Sequence, residues 1–197
     1  MSDRKVTIER ETKETKIRIA LNLDGSGKSE IATGIGFFDH MLEGFSKHGF
    51  FDLDCKVDGD LIVDGHHSVE DAGIVLGQAI LKAIGDKKGI KRYGYFILPM
   101  DDALALCAVD LCGRPYFDFD CTFETERVGA FETQLVREFF YAVSYSAGMN
   151  LHIRMLSGIN DHHKIEAIFK AFAKALDMAV SFDERITDVL STKGTLV

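Results

Sequence analysis

The chain of 197 residues lacks several features that define protein classes. It has no apolar run near the roughly 20 residues that span a bilayer, and no secretory apolar stretch follows residues 1–5. It also lacks a basic excess, since its net charge of −8 argues against a nucleic-acid or anionic-membrane surface. Its cysteines have no Cys-x-x-Cys spacing, which predicts reduced, mostly buried thiols of a cytoplasmic protein at Cys55, Cys107, Cys112 and Cys121.

What is present indicates a globular α+β protein. The composition, 46% hydrophobic and 27% charged, is sufficient for a buried core in one domain or in two small ones. Residues 16–23 alternate between apolar and polar side chains, which predicts a strand with one buried face. A short helix over 37–48, strand patterning over 51–63 around an Asp-Gly turn, and a helix over 66–84 are predicted to follow.

The second half repeats this order. Strands are predicted over 93–98, 103–111 and 116–123, followed by a helix over 131–147, a strand over 151–156 and a helix over 162–176. The segment 85–89, rich in Gly, Asp and Lys, is the natural connection. We therefore expect two tandem pseudo-symmetric modules, 1–88 and 89–197, with helices packed on mostly antiparallel sheets.

Both final helices begin with the same unusual motif. Residues 66–70 read His-His-Ser-Val-Glu and residues 162–166 read His-His-Lys-Ile-Glu, so four of the seven histidines lie in two identical frames. Imidazole and carboxylate are the common metal ligands that contain no sulfur. A polar helix start would explain an acidic residue in the first turn, but not the paired histidines. The motif predicts metal binding.

Helical geometry separates the two histidines of each pair. Adjacent residues diverge by about 100° around a helix, so one pair cannot easily hold a single ion. We expect each pair to serve two different ions, with each site completed by the other module or by a neighbouring subunit. Of the other histidines, His48 next to Gly49 suits a helix end. Taken singly, His40 and His152 would be structural residues.

Six segments in order along the chain resemble imidazoleglycerol-phosphate dehydratases. Three of them contain histidines: 37–42 (Phe-Phe-Asp-His-Met-Leu), 64–71 (Asp-Gly-His-His-Ser-Val-Glu-Asp) and 160–167 (Asn-Asp-His-His-Lys-Ile-Glu-Ala). The other three are 12–15 (Thr-Lys-Glu-Thr), 112–115 (Cys-Gly-Arg-Pro) and 191–194 (Ser-Thr-Lys-Gly). The resemblance covers essentially the whole chain and raises His40 and His152 from structural residues to expected ligands.

The resemblance implies a fold, a reaction and a set of site residues. The fold would be the duplicated one of ribosomal protein S5 domain 2. The reaction would be loss of water from imidazole glycerol phosphate to give imidazole acetol phosphate in histidine biosynthesis. Two Mn²⁺ ions per active site and a 24-subunit homo-oligomer with sites between subunits are implied as well. The implied metal ligands are His40, His66, His67, Glu70, His152, His162, His163 and Glu166.

The resemblance also supplies residues for phosphate binding and proton transfer. The implied phosphate-binding residues are Arg92, Arg114, Lys170, Ser191 and Lys193, of types that suit a dianion. Glu14 is the first candidate for the general acid or base and would also contact substrate, and Glu166 is a second catalytic candidate. Without the resemblance, Glu14 would be an exposed residue of a charged stretch.

Two other functions remain open, and three positions depart from the family. A metal-storage protein would use the same histidines without needing Glu14, and a metallohydrolase would instead release phosphate from its substrate. Nitrogen and oxygen ligands suit manganese, but also iron, cobalt or zinc. Gly65, Ser68 and Gly44 stand where the family usually has Asp, Thr and often a substrate-contacting Gln. Gly65 removes an acid that could orient a metal-binding histidine.

Overall fold

The computed structural model describes residues 4–196, and its first half forms a four-stranded sheet with two helices. The elements are β1 (Lys5–Glu11), β2 (Thr15–Asn22), β3 (Ser29–Ala32), α1 (Gly36–Gly49), β4 (Asp52–Gly59) and α2 (His66–Ile84). The strand order is β1-β2-β4-β3, in which β3 runs parallel to β4 and the other pairs are antiparallel. Alternate side chains of β2 are buried, as its apolar alternation predicts.

The second half forms the same arrangement with one insertion. Its elements are β5 (Tyr93–Met100), β6 (Ala103–Asp110), β7 (Tyr116–Asp120), β8 (Arg127–Val128), β9 (Phe131–Glu132), α3 (Leu135–Ala147), β10 (Asn150–Ser157) and α4 (Asp161–Val180). The main sheet has the order β5-β6-β10-β7, again with one parallel pair at the edge. The small hairpin β8-β9 is the inserted part.

Two buried serines show how closely the modules match. The Ser46 hydroxyl donates to the carbonyls of Lys28 and Phe51, at 3.2 and 2.7 Å. The Ser144 hydroxyl donates to the carbonyls at the equivalent positions, Tyr116 and Met149, at 3.1 and 2.9 Å. In each module this hydroxyl connects the end of a helix to the edge strand. The expected duplication is therefore present down to individual hydrogen bonds.

The four helices lie between the two sheets and share one core. Helix α1 packs on α4, where Phe45 stacks on Phe172 at 5.6 Å, and α2 packs on α3. Near the other end of α1, Phe37 meets His162 at 5.0 Å, so α1 and α4 run parallel. A Cβ at Gly65 would lie close to Leu135, and one at Gly77 would lie close to Val143, so α2 and α3 are parallel too. All four helix N-termini thus lie at one end of the molecule.

The predicted helices 37–48, 66–84 and 162–176 are confirmed to within a few residues, and His48 does lie in the last turn of α1. The helix predicted from residue 131 is wrong at its start: Phe131 belongs to β9 and α3 begins at Leu135, because a turn with Gly129 at φ 60° precedes them. The strand predicted over 51–63 ends at Gly59. Strands β1 and β3 were not predicted, since charged residues dominate β1 and β3 is only four residues long.

All four cysteines are free thiols, three of them buried. Burial raises the pKa of the Cys55 and Cys121 thiols to about 12. Cys112 and Cys121 follow strands rather than lying within them.

Within residues 4–196, none of the helices combines the length and apolar character needed to cross a membrane. The module boundary between 88 and 89 falls in the connection between α2 and β5 and stays a prediction.

Candidate metal centre

Both paired-histidine motifs begin helices whose first turns are fixed by neighbouring side chains. The Asn160 side chain accepts from the backbone N–H groups of His162 and His163, at 2.9 and 3.4 Å, and so caps α4. At α2 the Asp64 carboxylate accepts from the backbone N–H of His66 at 2.8 Å. These contacts hold the backbone that carries the four imidazoles.

Three predicted ligands form one compact cluster between the modules. The ligand atoms of His40, His162 and Glu166 all lie within 4.8 Å of one another. Glu166 Oε2 is 3.3 Å from His162 Nε2 and 3.8 Å from His40 Nε2. Helix α1 supplies one residue and α4 supplies two, so the packing of the two modules creates this donor set.

The first module offers only a pair of donors at its own motif. His66 Nε2 lies 3.8 Å from Glu70 Oε2, matching the His162–Glu166 spacing. The position in α3 equivalent to His40 is Glu138, whose carboxylate lies 3.4 Å from Arg137. Within residues 4–196, the cluster of His40, His162 and Glu166 is the only group of three such donors. The His66–Glu70 pair therefore needs donors from elsewhere to hold an ion.

The second histidine of each pair points away from the first, as helical geometry predicts. The ring centroids of His66 and His67 are 6.1 Å apart and those of His162 and His163 are 6.0 Å apart, with the ring planes inclined to each other at 88° and 78°. Asp60 lies 3.0 Å from His67 Nδ1, and Asp102 lies 2.6 Å from His163 Nδ1. These carboxylates raise the pKa of His67 and of His163. A carboxylate at Nδ1 also selects the tautomer that leaves Nε2 free for a ligand.

Glu14 lies beside the first-module pair without hydrogen bonding to it. It occupies the turn between β1 and β2, where the Thr12 hydroxyl accepts from the backbone N–H groups of Glu14 and Thr15, at 3.1 and 3.0 Å. Its carboxylate is 3.9 Å from His67 Nδ1 and its side chain is 55% exposed. Asp102 holds the equivalent position, directly before β6, but bonds to its histidine. The Glu14 carboxylate is therefore available for other chemistry.

Lys170 contacts a predicted ligand. Its Nζ is 2.7 Å from Glu166 Oε1 and 3.4 Å from the sulfur of Met100. Burial opposes ionisation of Glu166, but the Lys170 ammonium outweighs it, so the pKa of Glu166 lies below its usual value. Lys170 does not line the pocket that contains the other predicted phosphate contacts. Its contact with phosphate stays a prediction.

The other predicted phosphate contacts surround one open pocket at the far end of the second sheet. This pocket has a volume of about 740 Å³ and contains exposed Arg114 and Lys193 side chains. Arg92 and Ser191 lie in the same wall. An anion in this pocket would meet cations from three separate chain segments.

His152 lies apart from the other predicted ligands. It is on β10, where its Nδ1 is 3.4 Å from Asp118 and its ring is 5.5 Å from that of Tyr116. The strand registers place it on the outer face of the second sheet, in a row with Tyr95 and Ala108. It therefore faces outward, near the pocket of Arg114.

The three departures from the family pattern have different surroundings. A Cβ at Gly65 would meet methyl groups of Ile35 and Leu135 at 3.1 and 3.2 Å, so a larger residue requires both to shift. At Gly44, one turn after His40, a Cβ would meet nothing within 4 Å. The Ser68 hydroxyl is buried and has no hydrogen-bond partner in the described part of the chain. The structure offers no functional account of Ser68.

Two carboxylates of this site, Asp60 and Asp102, were not predicted. Asp102 is distant from His163 in sequence, and Asp60 is separated from His67 by a loop. Neither lies on the helix that carries its histidine, so helix periodicity does not point to them. The duplication does offer a signal for Asp102, because it precedes β6 as Glu14 precedes β2. Asp60 directly follows β4 and has no such signal.

The fold and site define a class: a duplicated α+β protein with two paired-histidine helix starts. A family model described as imidazoleglycerol-phosphate dehydratase matches residues 33–176. The enzyme of that name from Lachnoclostridium phytofermentans is 62% identical over 98% of this chain and 99% of its own. The chain therefore belongs to the imidazoleglycerol-phosphate dehydratase family.

Solved structures agree with this assignment. The crystal structure of the Staphylococcus aureus imidazoleglycerol-phosphate dehydratase is 42% identical, covers 91% of this chain and 99% of its own, and has a TM-score of 0.83. The structure of IGPD from Pyrococcus furiosus is 35% identical, covers 96% of this chain and all of its own, and has a TM-score of 0.82. The expected fold, with its two tandem modules, is confirmed.

Proposed function

We propose that the chain removes water from imidazole glycerol phosphate to give imidazole acetol phosphate, a step of histidine biosynthesis, and that two metal ions per active site assist it. The observation that carries this proposal is the three-donor cluster of His40, His162 and Glu166 in a chain of this family. Free thiols are consistent with the cytoplasm as its location.

The donor set fits such ions. Every candidate ligand offers nitrogen or oxygen, which suits Mn²⁺ and equally iron, cobalt or zinc, and the thiols lie elsewhere. One ion would use the cluster of His40, His162 and Glu166, and the other would use His66, Glu70 and donors from elsewhere. Manganese is our proposal for both. When bound, the ions supply Lewis-acid stabilisation of negative charge on the substrate's imidazole.

Protein carboxylates would orient the ligands and move the proton. Asp60 and Asp102 would accept from Nδ1–H of His67 and His163, which selects the tautomer with its lone pair on Nε2. The reaction takes a proton from one carbon and expels hydroxide from its neighbour as water. Glu14 would accept the first proton on its free carboxylate and return one to the leaving hydroxyl. Glu166, paired with Lys170, is suited to a ligand role instead.

The phosphate would bind at the other end of the second sheet. Arg114 offers a planar pair of donors, Lys193 a point charge, and Ser191 a hydroxyl, all suited to a dianion. This pocket lies at the start of β5, whereas His163 contacts Asp101 and Asp102 just after its end. The eight residues of β5 make seven steps of about 3.3 Å, which separate the two ends by roughly 23 Å.

That separation favours an active site shared between subunits. A three-carbon phosphate that carries one imidazole cannot span the length of β5 within a single chain. A second copy would bring its phosphate pocket and its His152 to the first copy's helix N-termini, where the His66–Glu70 pair is incomplete. We propose a homo-oligomer for this reason, with 24 subunits as the family resemblance implies.

The test is one incubation followed by two analyses. Protein loaded with Mn²⁺ is incubated with imidazole glycerol phosphate, and the keto product and free phosphate are both measured. We expect the keto product and no phosphate release, with activity lost on chelation and restored by Mn²⁺. Free phosphate would instead indicate a metallohydrolase, and neither product would indicate a metal-storage protein.

A further inference from the structure

The segment after α4 is fastened to the second module at several backbone points. The Asp183 N–H donates to the Gly89 carbonyl at 2.9 Å, and the Gly89 N–H donates to the Asp188 carbonyl at 3.2 Å. Ile90 and Phe182 form an antiparallel bridge. The remainder, 189–196, contributes Ser191 and Lys193 to the pocket described above. Its position therefore decides whether that pocket exists.

Arg92 is largely committed to holding this segment. Its Nε and Nη2 donate to the Asp110 carboxylate at 2.6 and 3.0 Å, and its Nη1 donates to the Leu190 carbonyl at 2.7 Å. Its guanidinium also lies 4.6 Å from the Tyr93 ring, and only 11% of its side chain is exposed. Three of its five N–H donors are thus used within the chain.

The first module has the same device at the equivalent residue. Arg4 pairs with Asp24 through two nitrogens, donates from Nη1 to the Val180 carbonyl at 2.6 Å, and stacks on Phe182 at 4.6 Å. Each arginine thus combines a carboxylate, an aromatic ring and a carbonyl of the C-terminal part. One fastens the end of α4 and the other fastens the segment next to Ser191.

We infer that Asp110 is a positioning residue for phosphate binding, acting through Arg92 to hold residues 189–196 in place. Its carboxylate aims the guanidinium so that Nη1 reaches Leu190, the residue before Ser191. The phosphate role of the pocket rests on the proposed function, but the fastening itself does not. Direct anion contact is then mainly the task of Arg114 and Lys193.

A positioning role for Asp110 and simple charge repulsion predict opposite changes in anion affinity when the carboxylate is removed. Asp110 is an acid beside an anion pocket, so removing its charge should tighten anion binding if Coulomb repulsion were all that mattered. If Asp110 holds the segment, its removal should weaken anion binding, because Ser191 and Lys193 lose their fixed positions. The sign of the change decides between these two roles.

The experiment compares Asp110→Asn with Asp188→Asn in the intact protein. Asp188→Asn removes one charge from the same segment, while the side-chain oxygen that accepts from the Val189 N–H and the carbonyl that accepts from Gly89 both remain. Hydrogen exchange of residues 187–196 is measured without ligand, and inorganic phosphate affinity is measured by calorimetry. For Asp110→Asn we expect exchange faster and phosphate affinity weaker, each by about tenfold, from losing a charge-assisted pair. Asp188→Asn should leave exchange unchanged.

Several outcomes would overturn the inference. Unchanged exchange with equal or tighter phosphate binding in Asp110→Asn would make Asp110 a mere repelling charge. If Asp110→Asn does not fold, Arg92→Lys keeps the positive charge but cannot make the three contacts, and it must show the same faster exchange. Failure of the unaltered protein to bind phosphate would remove the proposed phosphate site, whereas the exchange result would still decide the fastening.

Discussion

The outer faces of the two sheets differ although their backbones match. On the first sheet, Arg18 lies between Glu9 and Asp54 at 3.7 and 2.7 Å, and Lys56 pairs with Glu30 at 3.1 Å. On the second sheet the Lys56–Glu30 pair has a counterpart in Arg154 and Asp118. The positions equivalent to Lys5, Thr7, Glu9 and Asp58 instead hold exposed apolar side chains: Tyr93 at 49%, Tyr95 at 67%, Ile97 at 51% and Leu156 at 51%. A network of surface ion pairs is typical of a face exposed to solvent, whereas an exposed apolar face is typical of a surface that binds a partner.

The strand registers make this comparison position by position. Glu9 corresponds to Ile97, and Asp54 corresponds to His152. The buried sides of the sheets and the serine hydrogen bonds are kept in both modules. Duplication thus preserved what the core requires and changed what faces outward. The difference teaches that the second sheet, unlike the first, presents an apolar outer face, which is the surface that the proposed contact between copies would use.

The largest expected effect comes from equivalent ligands in the two modules. Loss of a residue that only hydrogen-bonds to a metal ligand costs roughly 10–100-fold in activity. Glu166→Gln and Glu70→Gln each alter a proposed ligand itself, so each should lower turnover by more than this. In dissociated chains the two should differ, because Glu166 belongs to a complete three-donor cluster and Glu70 does not. Metal content per chain, measured by mass spectrometry in both states, checks this. Equal metal loss in dissociated chains would contradict it.

The equivalent turn carboxylates should separate proton transfer from ligand orientation. Glu14→Gln should cut kcat by about 10²–10⁴-fold with metal content intact, since general acid–base catalysis contributes that much. Asp102→Asn should instead weaken metal affinity by about 10–100-fold, because His163 loses the partner of its Nδ1. Equilibrium dialysis and steady-state kinetics on both variants decide the matter. Metal loss in Glu14→Gln would make Glu14 a ligand or folding residue.

A charge moved from the first sheet to the second should break the assembly. Ile97→Glu places in the second sheet the residue that stands at the equivalent position, Glu9, in the first. If Ile97 is buried in the contact between copies, its side chain stabilises that contact by about 1.5–3 kcal/mol. The substitution removes this stabilisation and adds the cost of burying an unpaired carboxylate. We expect a lower assembly mass by light scattering, together with lost activity. The matched control is Thr7→Glu, which adds the same charge to the outer face of the first sheet and should keep the mass. An unchanged mass in Ile97→Glu would argue against this face as the contact.

The smallest effect should fall equally on both modules. Ser46→Ala and Ser144→Ala each remove a hydroxyl that donates to two carbonyls, one of them in a buried hydrogen bond, which should lower the free energy of unfolding by about 1–3 kcal/mol. Thermal or denaturant unfolding of the two variants measures this. If the two variants differed in free energy of unfolding by more than about 2 kcal/mol, the width of that range, the two hydrogen-bond pairs would not be energetically equivalent despite their matching geometry.

The success of sequence-based prediction varied with how local each signal is. Alternation predicted β2 and periodicity predicted α2 and α4, because their apolar faces point into one core. Strand β1 was not predicted, because Val6 and Ile8 are the only apolar residues on its inner face and charged residues surround them in the sequence. The helix predicted from residue 131 started too early because Phe131 is buried as a helical residue would be, but lies in a hairpin.

The sequence by itself determined the duplicated motifs, the α+β order and the paired-histidine ligands, because these follow from residue type and short-range periodicity, and its family resemblance added His40 and His152. Only the tertiary structure decided which groups meet: His40 with Glu166, Asp102 with His163, and Asp110 with Arg92. It also separated the phosphate pocket from the histidine cluster by the length of β5. Such pairings depend on strand register and helix packing across the core, which no local pattern encodes.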